Sequence, residues 1–231
     1  MDNLSEILIP KLFVFSKFLN YKSIVGPKIF FDEEFLTPDF IMYNDKVAFV
    51  WEWSRHKLDG RKKKQLQKYH RLASKKEFFG EVNFKGEHIK VIFLVLEKYY
   101  KEYLNFIKHN NLNTNLSYIK FDERNQHKLI LPKSLEKLNT VNSLQVPTEY
   151  FCKIDVDNFS FLKMEKQLMN FISNNIFDVE EIIPKLVSKE LFSIFSPSLR
   201  SKLKKSILKH ISTILMWIPK FHTGKGIPKN R

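Results

Sequence analysis

A single cysteine, Cys152, is present among 231 residues. Intrachain disulfides and cysteine-based zinc sites are therefore excluded, and a reducing intracellular setting is expected, cytoplasmic or the matrix of an organelle. No apolar run approaches the roughly 20 residues that cross a bilayer; the most hydrophobic one, Ile89 to Leu96, contains Lys90. Asp2, Glu6 and Lys11 interrupt the N-terminal apolar pattern, which fits neither a signal peptide nor an acid-poor transit peptide. The seven histidines are dispersed without a close metal-ligand pair, and no Ser-His-Asp elbow is present. Thr223-Gly224-Lys225-Gly226 lacks the spacing of a phosphate-binding loop. Asp155 and Asp157 open like a calcium loop, but Ser160 stands where glycine is needed and Lys166 where the bidentate glutamate belongs. Alanine is confined to Ala48 and Ala73 against 22 Phe, so large side chains carry the apolar volume, a bias we read as that of an AT-rich genome. Acids are absent after Glu190, where Arg200, Lys202, Lys204, Lys205, Lys209, Lys220, Lys225, Lys229 and Arg231 follow.

What is abundant is positive charge. Lys and Arg number 39 against 25 Asp and Glu, a formal +14, which makes a polyanion the first partner to consider. Nucleic acid leads, an anionic membrane surface trails, and no membrane association is expected.

Periodicity organises the first half of the chain. Leu4, Ile7, Leu8, Leu12, Phe15, Phe18 and Leu19 predict an amphipathic helix kinked or interrupted near Pro10. Two apolar stretches, Phe40 to Tyr43 and Val47 to Trp53, flank Asn44-Asp45-Lys46 and predict a hairpin, since Asn and Asp tolerate the positive φ of tight turns. After Asp59-Gly60, the run Arg61 to Lys76 predicts a helix with Leu66, Tyr69, Leu72 and Ala73 as its apolar stripe. Ile89 to Leu96 reads as a strand buried on both faces, Tyr99 to His109 as a helix and Tyr118 to Asp122 as a short strand. The fold class is α/β, with a mixed central sheet flanked by helices. The expected organisation is a core over residues 1–130, a connection over 131–150 rich in Ser, Asn, Thr and Pro, and a mostly helical basic region over 151–231. That region carries predicted helices at Phe161 to Ile172, Val179 to Val187 and Leu199 to Trp217. The last of them either clamps a duplex through Lys204, Lys205 and Lys209 or mediates assembly through Leu203, Ile207, Ile211, Ile214 and Leu215.

Two carboxylates carry the chemistry. Asp39 enters the first hairpin strand and Glu52 lies near the end of the second. A two-residue turn at Asn44-Asp45 sets Asp39 diagonal to Glu52 on one face; a turn at Asp45-Lys46 sets them directly opposite; a three-residue turn sends them to opposite faces unless a bulge intervenes. In the same-face registers the pair lies within about 5 to 8 Å, a span one Mg²⁺ (or Mn²⁺) bridges while keeping waters and a phosphate oxygen. Such an ion polarises a phosphodiester and acidifies the attacking water. The plainer alternative has Asp39 turning the chain and Glu52 pairing with Arg55 or a nearby lysine. Against it stands the following helix: Arg55, Lys57, Arg61, Lys62, Lys63, Lys64, Lys68, Arg71, Lys75 and Lys76 with Asp59 as the only acid among them, a run suited to holding a phosphate backbone. Gln65 and Tyr69 share a helix face and are placed either against a nucleotide or, for Tyr69, in the core. Trp51 and Trp53 share a strand face, where packing is favoured over base stacking.

Taken together, Phe35-Leu36-Thr37-Pro38-Asp39-Phe40, then Phe49-Val50-Trp51-Glu52-Trp53-Ser54-Arg55, then a helix closing on Gln65-Leu66-Gln67-Lys68-Tyr69 resemble the PD-(D/E)xK nuclease superfamily, with its restriction-endonuclease-like fold. The Gln65 to Tyr69 spacing is similar to the QxxxY helix motif of RecB-like members. Pro38-Asp39 and Glu52-x-x-Arg55 also resemble the replication-relaxation proteins of plasmids and mobile elements. The resemblance implies that Asp39 and Glu52 are metal ligands and that a lysine assists the attacking water. Ser54 stands where that lysine is expected two residues after Glu52, so Lys64 or Lys68 of the helix is the candidate substitute. Arg55, Arg61, Lys62, Lys63 and Arg71 are then phosphate contacts.

The leading function is a Mg²⁺-dependent, DNA-binding endonuclease-like protein from a mobile element or virus. The alternatives are a non-catalytic nucleic-acid binder on the same fold, for which Ser54 speaks, and a basic component of a ribonucleoprotein. A homodimer or a larger DNA-processing assembly is compatible with the first, because symmetric dimers suit the cutting of two strands.

Overall fold

The computed structural model describes residues 4–121, 127–155 and 161–222. Asp122, Asp157, Ser160, the Thr223 to Gly226 segment and Lys225, Lys229 and Arg231 of the basic arm lie outside the described residues. In chain order the elements are α1 (Leu4–Phe18), β1 (Lys22–Val25), β2 (Ile29–Phe31), β3 (Glu34–Leu36), β4 (Phe40–Tyr43), β5 (Val47–Ser54), α2 (Gly60–Ala73), β6 (Glu77–Gly80), β7 (Phe84–Lys85), β8 (His88–Leu96), α3 (Glu97–His109), β9 (Asn115–Phe121) and β10 (His127–Ile130). A 3-10 helix follows at Lys133–Asn142, then α4 (Phe161–Ser173), α5 (Val179–Leu186), α6 (Lys189–Ser193) and α7 (Pro197–His222).

The chain is α/β with a mixed central sheet flanked by helices. Six strands run in the order β1-β4-β5-β8-β9-β10. Strands β1, β4 and β5 pair antiparallel, β5, β8 and β9 parallel, and β9 and β10 antiparallel. Strand β8 is covered on both sides: Ile92 and Leu94 face one hydrophobic cluster, Val91, Phe93 and Val95 the other. This is why Ile89 to Leu96 reads as an unbroken apolar run rather than an alternation. Helices α2 and α3 cover the second face, and α1 with the C-terminal helices covers the first.

Several expectations change. Helix α1 continues through Pro10, so of the two alternatives the interruption does not occur; burial of Leu4, Leu8, Ile9, Leu12, Phe13 and Phe15 offsets the backbone hydrogen bond that proline removes. Helix α2 stops at Ala73, three residues early, so that β6 can start at Glu77. The 131–150 connection contains the 3-10 helix, whose Leu135, Leu138 and Val141 join the core. In α7 the residues considered for assembly, Leu203, Ile207, Ile211 and Ile214, are buried in the chain's own core, and of that set only Leu215 is exposed. Absent from the sequence reading is a second, four-stranded sheet, β3-β2-β6-β7. Its β2–β3 hairpin turns on Asp32 and Glu33, both at positive φ, the conformation of a two-residue primed turn.

Glu81 fastens this small sheet to the start of α7. Its carboxylate accepts from the Lys28 N–H (2.7 Å), the Ser198 N–H (2.7 Å) and the Ser198 hydroxyl (2.8 Å). Burial alone raises this carboxyl, but the hydrogen bonds from Lys28 and Ser198 outweigh it and hold the group below its ordinary value. A lowered native pKa contributes stability above the unfolded value and loses it as pH falls through the native one. Glu81→Gln is accordingly expected to lower stability by about 1 to 2 kcal/mol near neutral pH. The difference from wild type should vanish below the carboxylate range, as read by urea midpoints across an acid series.

Candidate nucleic-acid interface

Of the three hairpin registers, the turn on Asp45-Lys46 is the one adopted. Strands β4 and β5 pair Phe40 with Trp51, Ile41 with Val50, Met42 with Phe49 and Tyr43 with Ala48. No residue of the turn has positive φ, against expectation. Instead Asn44 Oδ1 accepts from the N–H groups of Lys46 (2.9 Å) and Val47 (2.8 Å), and the Asn44 N–H donates to the Val47 carbonyl. The side chain thereby satisfies the turn without left-handed backbone. One step beyond Phe40 and Trp51, this register sets Asp39 opposite Glu52. Asp39 Oδ2 accepts from the Trp53 N–H at 2.7 Å, which closes the strand end. Both carboxylates are buried, Asp39 7% and Glu52 4% exposed, and both line one cleft. Trp51 and Trp53 project to the other face into the core, so the packing role holds and base stacking does not.

Helix α2 presents Lys62, Gln65 and Tyr69 to Glu52, residues three and four apart and so on one side of the helix. Gln65 Nε2 donates to Glu52 Oε1 at 2.5 Å and the Tyr69 hydroxyl to Oε2 at 2.7 Å. Lys62 Nζ lies 3.5 Å from Oε1 and donates to Gln65 Oε1 at 2.9 Å. Asp59 caps this helix by accepting from the Lys62 N–H, which sets where the lysine emerges. Gln65 and Tyr69, placed provisionally against a nucleotide, thus hold the carboxylate; Tyr69 is fully buried. The expectation that the α2 cations have almost nothing negative to pair with is also corrected. Lys68 and Arg71 both bind Glu34, at 2.9 and 2.6 Å, and Lys75 binds Asp32. The acids come from the β2–β3 hairpin, Asp32 in its turn and Glu34 at the start of β3, distant in sequence and therefore invisible to a local count of charge. The hydrogen bond from Lys68, with Arg71 beside it, holds the Glu34 carboxyl below its usual range.

The cleft has a volume of about 960 Å³. Six cations line it, Lys28, Arg55, Arg61, Lys62, Lys202 and Lys205, against the two acids Asp39 and Glu52. One wall is the start of α7, fixed in place where Ser196 Oγ donates to the Gly26 carbonyl at 2.8 Å. Gly26 sits at φ +59° with Leu199 closing over it, so any side chain there meets both backbone strain and a neighbour.

The structure distributes the predicted residues unevenly. Asp39, Glu52, Arg55, Arg61, Lys62, Gln65 and Lys205 line the cleft. Arg55 is engaged there, its guanidinium donating to Asp155 Oδ2 at 2.6 Å, so of the pairings considered for Glu52 the one with a nearby lysine is made, by Lys62, beside the neutral donors Gln65 and Tyr69. Lys64 is exposed outside the cleft, Lys68 and Arg71 are tied to Glu34, and Lys63 lies over the Phe106 ring. Lys204 binds Glu180, and Lys209 is exposed away from the cleft lining. The lysine beside the acidic pair is Lys62, which sequence reasoning placed only as a phosphate contact; its spacing from Gln65 and Tyr69 was the available signal. Ser54 is buried and accepts from the Tyr103 hydroxyl at 3.2 Å, and burial pushes the Tyr103 phenol up to about 12.

Among the described residues no three His, Cys, Asp or Glu side chains converge on one metal position. Two opposed carboxylates are an all-oxygen pair, which suits a hard cation that brings its own waters and is ill suited to zinc. The donor chemistry therefore fits Mg²⁺ or Mn²⁺. No helix of the described residues is long and apolar enough to cross a membrane. Comparison of the chain with protein-family models, with curated proteins and with solved structures finds no match.

Proposed function

We propose that the cleft binds DNA and hydrolyses its phosphodiester bonds with a divalent cation held by Asp39 and Glu52, on a core of the PD-(D/E)xK type. The observation that carries this reading is the register that opposes two buried carboxylates in a cleft whose other acidic or basic side chains include six Lys and Arg and no further acid. What supports the family part of the reading is the element order over residues 4–121: helix, hairpin, helix, strand, helix and strand occur in that sequence, with β1 of the central sheet and the four strands of the small sheet in addition. A bound Mg²⁺ would supply polarisation of the scissile phosphate and acidification of water. Gln65 and Tyr69 keep the Glu52 carboxylate aimed into the cleft. Lys62, whose ammonium reaches both Glu52 and Gln65, orients the attacking water and opposes the charge growing on the phosphate. Arg61, Lys28 and Lys205 grip the flanking backbone.

The test is cleavage of supercoiled and linear DNA in Mg²⁺, in Mn²⁺ and in chelator. Lys62→Met is expected to lower turnover by roughly 10²- to 10³-fold with little change in affinity. Lys205→Ala is expected to weaken binding and flatten its salt dependence by about 0.9 in log–log slope. Salt-dependent binding without cleavage under either ion would move the protein to the second reading, a non-catalytic DNA binder. The specific observation favouring that reading is Ser54, buried against Tyr103 where the family's lysine is expected.

A further inference from the structure

The small sheet turns one face to the core and the other to solvent. Ile29, Phe31, Leu36, Phe78 and Phe84 point inward. On the outer face three phenylalanines are exposed: Phe30 at 51%, Phe35 at 44% and Phe79 at 51%. They are neighbours by register, Phe30 pairing with Phe35 on β3 and with Phe79 on β6. The result is a row of rings across three strands, with the Phe30 and Phe35 centroids 5.3 Å apart. Exposed rings in such a row cost solubility and contribute little to the core, so their presence calls for an occupant.

The position of the row identifies one. Just beyond the ends of β2 and β3, two residues from Phe30 and Phe35, Lys28 and Thr37 line the cleft, and residues two apart in extended chain lie about 7 Å apart on one side. The aromatic row is therefore a continuation of the cleft floor onto the small sheet. Beyond it, at the far end, stand the acids Asp32, Glu33 and Glu77, two of them held by Lys75 and Lys85. The surface thus grades from a cationic cleft through the aromatic row to an edge of paired charges. A polyanion is drawn to the first and can lay its bases on the second.

We propose that Phe30, Phe35 and Phe79 form a stacking platform for two or three unpaired bases of a DNA strand whose phosphates lie in the neighbouring cleft. Aromatic rings on a sheet face receive bases without regard to sequence, because every base has a π-face. A duplex keeps its bases stacked on one another and has none to offer. The platform therefore makes the substrate DNA with a single-stranded segment adjoining the reacting phosphate: a flap, a bubble or a strand end. This inference rests on the cleft being a DNA site and adds the form of the DNA.

The full-length chain is titrated with a fluorescent single-stranded DNA, an RNA of the same sequence and the corresponding duplex at fixed ionic strength, followed by anisotropy. Phe30→Ala and Phe79→Ala remove exposed rings and are expected to fold, as thermal melts will show. Each should weaken single-stranded DNA binding by roughly 5- to 100-fold, leave duplex binding within about twofold and keep the salt slope unchanged. Phe30→Tyr should restore binding. Lys205→Ala reports on the cleft separately, weakening single strand and duplex alike. Unchanged single-strand affinity in both phenylalanine variants, with Lys205→Ala still weakened, would overturn the platform and leave the cleft reading intact. Absence of nucleic-acid binding by the wild type would overturn both. Tighter binding of the RNA than of the DNA would overturn the assignment to DNA. A wild-type dimer that Phe30→Ala dissociates without loss of affinity would make the row a contact between copies of this chain and overturn the proposal.

Discussion

Asp39→Asn is expected to lower Mg²⁺-dependent cleavage by roughly 10²- to 10³-fold or more while leaving the fold intact. The amide retains an oxygen for the Trp53 N–H that Asp39 Oδ2 now accepts at 2.7 Å, so the strand end stays closed. What disappears is half of the negative charge facing the cation. The same substitution separates a metal site from a structural one without any activity measurement. Lys62 already offsets part of the repulsion between the two carboxylates, and a bound cation would offset more, so the readout is the gain in melting temperature on adding Mg²⁺. Wild type should gain from Mg²⁺ at about a hundred times its dissociation constant about 2.7 kcal/mol, or about 5 to 11 °C in melting temperature for a chain of this size; Asp39→Asn should gain far less. Glu52→Gln is expected to lose cleavage to a similar extent. It is the less clean variant, because Gln65 and Tyr69 donate to both oxygens of Glu52 and one of those donors would then face an amide NH₂. Cleavage by Asp39→Asn within tenfold of wild type, or an undiminished Mg²⁺ shift, sinks the metal assignment.

The second large effect is on stability. Arg55→Met is expected to cost about 3 kcal/mol in urea unfolding, towards the low end of what breaking a buried ion pair costs, since the Asp155 side chain is 1% exposed and Arg55 itself keeps 16%. Removing the guanidinium strands a carboxylate in the interior. Replacing both partners, Arg55→Met with Asp155→Leu, should recover most of the loss, to within about 1 kcal/mol of wild type, because two apolar side chains leave nothing unsatisfied. The pair joins the residue just after β5 to the segment entering the C-terminal helices, a hundred positions away. It therefore ties the end of β5, where it meets the cleft, to the segment at Asp155. If Arg55 is chiefly a tether, DNA affinity of the stable double variant stays near wild type; an affinity loss matching that of Lys205→Ala would restore it as a phosphate contact.

Elements whose periods are strong were legible: α2 and α3 from their single apolar stripes, β8 from an unbroken run that only a doubly covered strand carries, the β4–β5 hairpin from two apolar stretches around polar residues. The small sheet was not. Strands of two to four residues are too short for a period of two to register, and Asp32-Glu33 is an uncommon pair for a primed turn. Missing that hairpin also hid Glu34 and Asp32, which made α2 look like a helix of unopposed cations. At the site, the two acids and the helix beside them were visible as residue types, while three registers remained equally compatible with the letters.

Composition and spacing alone determined that this chain carries a large excess of positive charge, an α/β core and a carboxylate at each of two adjoining strands, because charge, burial period and turn propensity are local properties of the chain. Tertiary structure alone decided that the Asn44 side chain selects the register opposing Asp39 and Glu52, that Lys62 rather than Lys64 or Lys68 stands beside them, and that α7 walls the cleft. The register is a choice among local turns that the letters leave open, closed by hydrogen bonds two and three residues away; the other two outcomes depend on contacts between separate elements, and the free energy that chooses among them appears only when those elements meet.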